Sequence, residues 1–255
     1  MSAAAHAAQM VDIGGYSLAI RCMGHGSPVV VIDAGLGEGS AAWTTLQTRV
    51  ATFTQVCTYD RAGVGQSDPG PTPRTSQQMV AELRTLLRKA SVEGPYVVVG
   101  HSLGGLNAQL FAMQYPHDTA GLVLIDPSFP DMLTRFAAVL PEAWLPLWNS
   151  QFESAAEGMT QADLATSCAQ VGVAGKLPNV PLMVLSAGQP VQLPPEYSTF
   201  PAADVLREMQ VGHAVLTSTV PHGQHLIVEN SSHATMHLQD DVIVDAIHQV
   251  VAAAR

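Results

Sequence analysis

The chain has 255 residues, of which 47% are hydrophobic and 13% charged, and this is enough to bury the core of one α/β domain. Its 11 basic and 21 acidic side chains give a net charge of −10, which argues against binding to nucleic-acid backbones through clustered Lys and Arg. No window approaches the roughly 18 uninterrupted apolar residues that a membrane span requires.

The cysteines and the first residues bear on the cell compartment. Cys22, Cys57 and Cys168 are an odd and widely spaced set, and buried free thiols in a reducing compartment are their simplest account. Residues 1–6 contain neither a basic region nor an apolar core, so we expect no secretory signal. Together these features predict a cytoplasmic protein.

Strand and helix patterns alternate along the chain. Continuous apolar runs are typical of strands that are buried on both faces of a sheet. Repeated units of such a strand and a helix predict an α/β fold, with a mostly parallel sheet between two layers of helices. In chain order, the predicted elements are a hairpin over 10–13 and 16–22, a strand over 29–32, a helix over 43–50, a strand over 55–59, a helix over 76–90, a strand over 96–99, a helix over 106–114, strands over 121–125, 181–185 and 225–228, and a helix over 240–254.

One long segment, about 127–180, interrupts this alternation because it carries no strand signal. It contains Phe129, Trp144 and Trp148, and it follows the carboxyl end of a strand, where ligands bind in open α/β sheets. We therefore expect a single domain over 1–255 with a helical lid over 127–180. The three aromatic residues would contact an apolar substrate. The alternative is a set of ordinary connecting helices.

A G-x-S-x-G motif centred on Ser102 lies between the strand over 96–99 and the helix over 106–114. In the turn called a nucleophile elbow, a serine stands between a strand and a helix, and the close packing of that turn requires small residues beside it. Gly100 and Gly104 satisfy this requirement. The pattern predicts that Ser102 is a nucleophile, and the alternative is a glycine-rich loop with an incidental serine.

A serine nucleophile needs a histidine that accepts its proton and returns it to the leaving group. His233 is the best placed of the ten histidines, because it follows the last strand and returns the chain to the sheet edge of Ser102. His237 is a weaker candidate. His101 adjoins the serine, but its side chain should point away from the hydroxyl.

The acid that orients His233 is less obvious from the sequence. A carboxylate after the next-to-last strand is the common supplier in this architecture, and none stands directly after residue 185. Asp126 ends the strand after the elbow helix and is therefore the favoured candidate, although it could instead cap the first turn of the insertion. Asp204, Asp131 and Glu196 remain as alternatives.

Backbone amides should stabilise the oxyanion that forms during acyl transfer. The N–H of Leu103 lies directly after the nucleophile, at the start of its helix. A second donor should come from the glycine-containing loop after residue 32, and Leu36 is the residue we expect to supply it.

These motifs together resemble those of the α/β-hydrolase superfamily, in the branch of small serine esterases and lipase-like enzymes. The resemblance covers nearly all of the chain outside the insertion, and it implies a triad of Ser102, His233 and an acid. The usual His-Gly before the oxyanion residue is Ala-Gly here, and the less common acid position of the family fits Asp126. The motifs, in order, are D-A-G-L-G at 33–37 with Trp43, Y-D-R-A-G-V-G-Q-S at 59–67, G-H-S-L-G-G at 100–105 and S-H at 232–233.

The function expected from this resemblance is the hydrolysis of apolar carboxylic esters, including lactones and macrolactones, through an acyl-enzyme. A thioester or C–C bond hydrolase would use the same residues, and a hydrolase fold that acts as a ligand receptor is a third possibility. The resemblance implies no cofactor. The His222-x-x-His225 pair lacks further ligands at metal-site spacing, so no metal is expected either. We expect a small-molecule partner and no nucleic acid.

Overall fold

The structure is a computed structural model that describes residues 7–255. The prediction of no secretory signal concerns residues 1–6 and lies outside this range. The strands are β1 (Gln9–Asp12), β2 (Ser17–Met23), β3 (Val29–Asp33), β4 (Val56–Tyr59), β5 (Tyr96–His101), β6 (Thr119–Ile125), β7 (Leu182–Ala187) and β8 (Gln224–Val228). The helices are α1 (Thr44–Val50), α2 (Ser76–Lys89), α3 (Leu103–Gln114), α4 (Met132–Val139), α5 (Leu145–Ser150), α6 (Gln161–Val173), α7 (Ala202–Ser218) and α8 (Asp240–Ala253).

All eight strands join one sheet in the order β1-β2-β4-β3-β5-β6-β7-β8. β1 pairs with β2 and β2 with β4 in antiparallel fashion, and every other neighbouring pair is parallel. The predicted α/β architecture is therefore confirmed. Because β3, β5, β6 and β7 run in parallel, their carboxyl ends meet at one edge of the sheet.

Helices cover both faces of this sheet, and alternate residues of each strand pack into different layers. In β5, Val98 packs into the core that includes residues of α2, α3 and α7. Its neighbours Val97 and Val99 pack into the opposite core with residues of α1 and α8. Burial on both faces explains why the central strands read as unbroken apolar runs.

Two elements differ from the sequence-based expectation. The strand over 225–228 was expected to be buried, but β8 is an edge strand that pairs only with β7, and its Leu226 and Ile227 are exposed. The helix α7 was not predicted at all. The buried residues Val205, Met209 and Leu216 at helical spacing were the signal available for it.

The expectation of three free thiols is wrong for two of the cysteines. Cys22 and Cys57 form a disulfide, and only Cys168 is free and buried. The reason is the antiparallel register of β2 and β4, which places Cys22 directly opposite Cys57. Since disulfides persist in oxidising compartments, the cysteines no longer support the cytoplasmic prediction. No helix within residues 7–255 is long and apolar enough to cross a membrane.

Candidate active site

Ser102 stands between β5 and α3 in a strained backbone conformation, with φ 53° and ψ −118°. A side chain at Gly100 would collide with the Gly104 carbonyl, and one at Gly104 would collide with the backbone of Asp33 on the neighbouring strand. Both glycines are therefore required by close backbone approach rather than by flexibility. The turn holds the Ser102 hydroxyl at the carboxyl edge of the sheet.

The imidazole of His233 lies between a hydroxyl and a carboxylate. Its Nε2 is 3.1 Å from Ser102 Oγ, and its Nδ1 is 2.6 Å from Asp126 Oδ2. His233 begins a short 3₁₀ helix after β8, and a hydrogen bond from the Ser232 N–H to Thr235 Oγ1 at 2.9 Å fixes the start of that turn. The structure thus brings together the serine, histidine and acid that the sequence singled out.

The carboxylate of Asp126 is held in place on both oxygens. Asp126 follows β6 with φ 41°, the second strained non-glycine residue of the site. Its Oδ1 accepts a hydrogen bond from the Ala187 N–H at 2.8 Å, while Oδ2 is bonded to His233. The side chain is 2% exposed.

The two charges of this pair stabilise each other. Burial opposes ionisation of Asp126, but the hydrogen bond and charge of His233 outweigh it and lower the pKa of the carboxyl to about 2. Burial also disfavours the imidazolium of His233, yet the hydrogen bond and charge of Asp126 raise the pKa of the ring above its ordinary value. His233 is thereby made a stronger base next to Ser102.

The other acid candidates lie elsewhere. Asp204 is paired with Arg207 at 2.8 Å, and Asp131 with Arg135 at 2.8 Å. Glu196 is exposed in the loop after β7.

The neighbouring histidines have other partners. His237 lines the cavity in front of Ser102, and the Nδ1 of His101 is directed at Glu38 at 3.3 Å. His225 is bonded to Ser186 at 2.6 Å. Within residues 7–255 no group of three or more His, Cys, Asp or Glu is arranged to hold a metal ion.

Two backbone amides of the loop after β3 are bonded to carboxylates. The N–H of Gly35 bonds Glu38 Oε2 at 2.9 Å, and that of Gly37 bonds Glu157 Oε1. Neither Leu36 N–H nor Leu103 N–H donates a hydrogen bond inside the described part of the chain. Leu36 and Leu103 also line the same cavity as Ser102, and their role as oxyanion donors stays a prediction.

A buried ion-pair network that the sequence analysis did not identify holds this loop. The Arg61 guanidinium donates to the carbonyls of Ala34, at 2.7 Å, and Gly35. The same guanidinium pairs with Asp33 at 2.6 Å and with Glu157 at 2.8 Å, and all three charged side chains are at most 2% exposed. Glu157 belongs to the segment between β6 and β7, so the network ties this segment to the loop that carries Leu36.

A cavity of about 870 Å³ opens in front of Ser102 and is lined mainly by apolar side chains. The segment over 127–180 contributes one wall of it through α4, α5, α6 and the loop before α6. Among the described residues that line it there is no Lys or Arg. Apolar residues that form the cavity wall include Leu147, Trp148, Phe152, Met159, Leu164 and Phe200.

The three aromatic residues expected to contact substrate have different positions. Trp148 lines the cavity and stacks on Phe200 with ring centroids 5.7 Å apart. Trp144 is outside the lining and packs behind it against Phe200, while Phe129 is 2% exposed and packs against the ring of His213. The expectation is corrected for both: Phe129 belongs to the buried core, and Trp144 is a partly buried residue that packs against that core outside the cavity lining. The lid role of the 127–180 segment stays a prediction.

Comparison with known proteins agrees with the resemblance stated from the sequence. A family described as alpha/beta hydrolase fold matches residues 28–208. The uncharacterized protein YqjL of Bacillus subtilis (strain 168) is 31% identical over 232 residues, which cover 91% of this chain and 86% of YqjL.

Solved structures show the same fold. A thermophilic esterase from Thermogutta terrifontis superposes with a TM-score of 0.65 at 21% identity, covering 98% of this chain and 99% of the esterase. The enol-lactonase from Burkholderia xenovorans LB400 gives a TM-score of 0.65 at 15% identity, covering 96% of this chain and all of the lactonase.

Proposed function

This chain belongs to the alpha/beta hydrolase fold family, and from that membership and the site geometry we propose that it is a serine esterase acting on apolar carboxylic esters. The observation that carries the proposal is the position of the His233 ring, 3.1 Å from Ser102 Oγ and 2.6 Å from Asp126 Oδ2. A base that joins a nucleophile to a buried carboxylate in this way is the arrangement used for acyl transfer.

In the first half of the proposed reaction, Ser102 Oγ attacks the ester carbonyl carbon while its proton passes to His233 Nε2. The tetrahedral oxyanion accepts hydrogen bonds from the N–H groups of Leu36 and Leu103. When the intermediate collapses, the C–O bond to the alcohol breaks and His233 gives its proton to the departing oxygen. Asp126 holds the imidazole in the tautomer that leaves Nε2 free to accept, and it stabilises the imidazolium.

The second half releases the acid. Water loses a proton to His233 Nε2 and attacks the acyl-enzyme carbonyl, and the same two amides hold the new oxyanion. The bond to Ser102 Oγ then breaks and the proton returns from His233 to the serine. Apart from the substrate and this water, each step is carried out by side chains and backbone amides named above.

The cavity supports an apolar substrate. Its walls are mainly aliphatic and aromatic and its volume is about 870 Å³, within the range of sites that enclose a small organic ligand. Lactones are esters and fit the same chemistry, so large apolar lactones belong to the proposed substrate class. Thioesters and C–C bonds next to a ketone are alternative targets of the same residues.

The proposal is tested with a series of p-nitrophenyl esters of increasing acyl length, with the natural chain and with Ser102→Ala. We expect turnover that increases with acyl length until the cavity is filled, and a loss of about three orders of magnitude or more in the variant. Equal activity of the two proteins would contradict a serine mechanism. Absence of turnover together with tight binding of apolar ligands would instead support the receptor alternative.

A further inference from the structure

Glu38 is a carboxylate of the cavity wall that the proposed reaction does not use. It lies two residues after Leu36, and its side chain is 19% exposed. Its Oε2 accepts the Gly35 N–H at 2.9 Å, whereas no protein group within the described residues bonds its Oε1. Because Glu38 lines the cavity beside Ser102, this second oxygen remains available to a bound molecule.

Among the described residues, His101 is the one side chain that pairs with Glu38, and it does not neutralise the carboxylate. Its Nε2 is buried without a partner within the described residues, so a protonated ring would carry a buried and unpaired N–H. Burial accordingly lowers the pKa of His101. The neutral ring donates from Nδ1 to Glu38. Burial of Glu38 opposes its ionisation, but the contact with His101, the Gly35 amide and the nearby His237 lower the pKa of the carboxyl to about 2.

No permanently charged cation of the described wall faces this carboxylate. The described residues that line the cavity include no Lys or Arg, and the other ionisable ones are Asp126, Tyr197, His101, His233 and His237. The charge of Asp126 is already engaged by His233 and by the Ala187 amide. Besides Asp126, the described wall thus holds one carboxylate, Glu38, that no Lys or Arg pairs, in a chain whose net charge is −10. Such a field attracts cations and repels anions.

The place of Glu38 fixes which part of the substrate feels this charge. The His101 ring contacts Glu38, and its centroid also lies 5.2 Å from the centroid of the His233 ring. His233 returns its proton to the departing alcohol, so the alcohol part of the ester occupies this side. The apolar wall of α5 and α6 is left for the acyl part.

We propose that Glu38 selects for esters whose alcohol part carries a positive charge, such as quaternary or protonated amino alcohols. It would equally disfavour esters whose alcohol part bears a carboxylate or phosphate. The inference rests on the proposed function, which it sharpens to esters of an apolar acid with a cationic alcohol. A carboxylate and an ammonium in contact near a protein surface attract each other strongly enough for a preference of about tenfold or more.

The test compares three hexanoyl esters that differ only in the alcohol: choline, its neutral isostere 3,3-dimethylbutanol, and the anionic 3-hydroxypropanoate. We expect kcat/KM for the choline ester to exceed that for the isostere by at least about tenfold, and the anionic ester to be the poorest. In Glu38→Gln, which can still accept the Gly35 N–H, the three values should converge. Glu93→Gln, an exposed residue just before β5, makes the same change in net charge and should keep the order.

Equal kcat/KM values for choline and isostere esters, or an equal loss for all three in Glu38→Gln, would overturn the inference. A second measurement separates this failure from that of the proposed function. Calorimetry with hexyltrimethylammonium needs no turnover, and we expect Glu38→Gln to weaken its binding by about tenfold. Unchanged binding would also contradict the role of Glu38. If no ester is cleaved but the natural chain still binds hexyltrimethylammonium more tightly than Glu38→Gln does, the esterase proposal alone fails.

Discussion

The carboxylate of Asp126, at the end of β6, is bound by the backbone N–H of Ala187, at the end of β7, at 2.8 Å. In this fold the acid usually follows the next-to-last strand, which is β7 here. In this chain the end of β7 instead provides the backbone N–H that holds the acid at the end of β6. Parallel pairing of β6 and β7 places the two strand ends side by side. This contact leaves the other carboxylate oxygen free for His233.

If Asp126 orients His233, replacement of Asp126 by Asn should lower kcat by about four orders of magnitude, because the amide favours the wrong tautomer of the ring. The expected result is measured as p-nitrophenyl ester turnover under saturating substrate. Asp131→Asn removes an exposed carboxylate of the nearby loop and should leave kcat nearly unchanged. Comparable activity in the two variants would remove Asp126 from the mechanism.

The dependence of kcat/KM on pH should follow the protonation of His233. The neutral ring is the base, so activity should rise with pH through the pKa of His233, which Asp126 raises above its ordinary value of 6.5. Without the carboxylate that pKa falls, and the residual activity of Asp126→Asn should reach its plateau at lower pH. Initial rates read at the isosbestic wavelength of the product measure both profiles. A plateau at higher pH in Asp126→Asn than in the natural chain would contradict the assignment of Asp126 as the partner of His233.

The network of Arg61 and Glu157 should contribute strongly to stability. Replacement of Glu157 by Ala leaves the buried guanidinium with Asp33 as its one remaining carboxylate, and breaking such a pair costs about 3–5 kcal/mol. Urea unfolding at constant pH measures the change in the free energy of unfolding. Glu153→Ala, an exposed glutamate of the same segment, should change it little. Similar changes in the free energy of unfolding for the two variants would mean that the Arg61–Glu157 pair does not stabilise the fold.

The disulfide predicts the number of reactive thiols. Under denaturing and non-reducing conditions a thiol reagent should detect one cysteine per chain, Cys168, and three after reduction. Reduction should also lower the free energy of unfolding by about 2–4 kcal/mol. Detection of three thiols before reduction would show that Cys22 and Cys57 are not joined.

The sequence was sufficient to predict the order of the central strands and helices and the residues that meet at the sheet edge. Local patterns mark strand ends, and parallel strands bring their ends together, so Ser102, Asp126 and His233 could be assigned to one edge without coordinates. The choice of Asp126 over Asp204 could not be settled in this way. It depends on the side-chain directions at the ends of β6 and β7.

Other features depend on contacts between distant segments that have no local signature. Arg61 and Glu157 are 96 residues apart, and nothing in the composition of either segment indicates their pairing. The disulfide was missed because the spacing of Cys22 and Cys57 does not reveal the register of β2 against β4. Phe129 and Trp144 were misplaced since aromatic content alone does not distinguish a residue that lines a cavity from one that packs behind the lining.

Labelling by an alkyl fluorophosphonate, followed by mass spectrometry of the peptides, tests most directly whether His233 activates Ser102. We expect one adduct, on Ser102, in the natural chain and a much slower reaction in His233→Ala, which lacks the base. An adduct on another serine such as Ser128, or equal labelling rates with and without His233, would contradict this expectation.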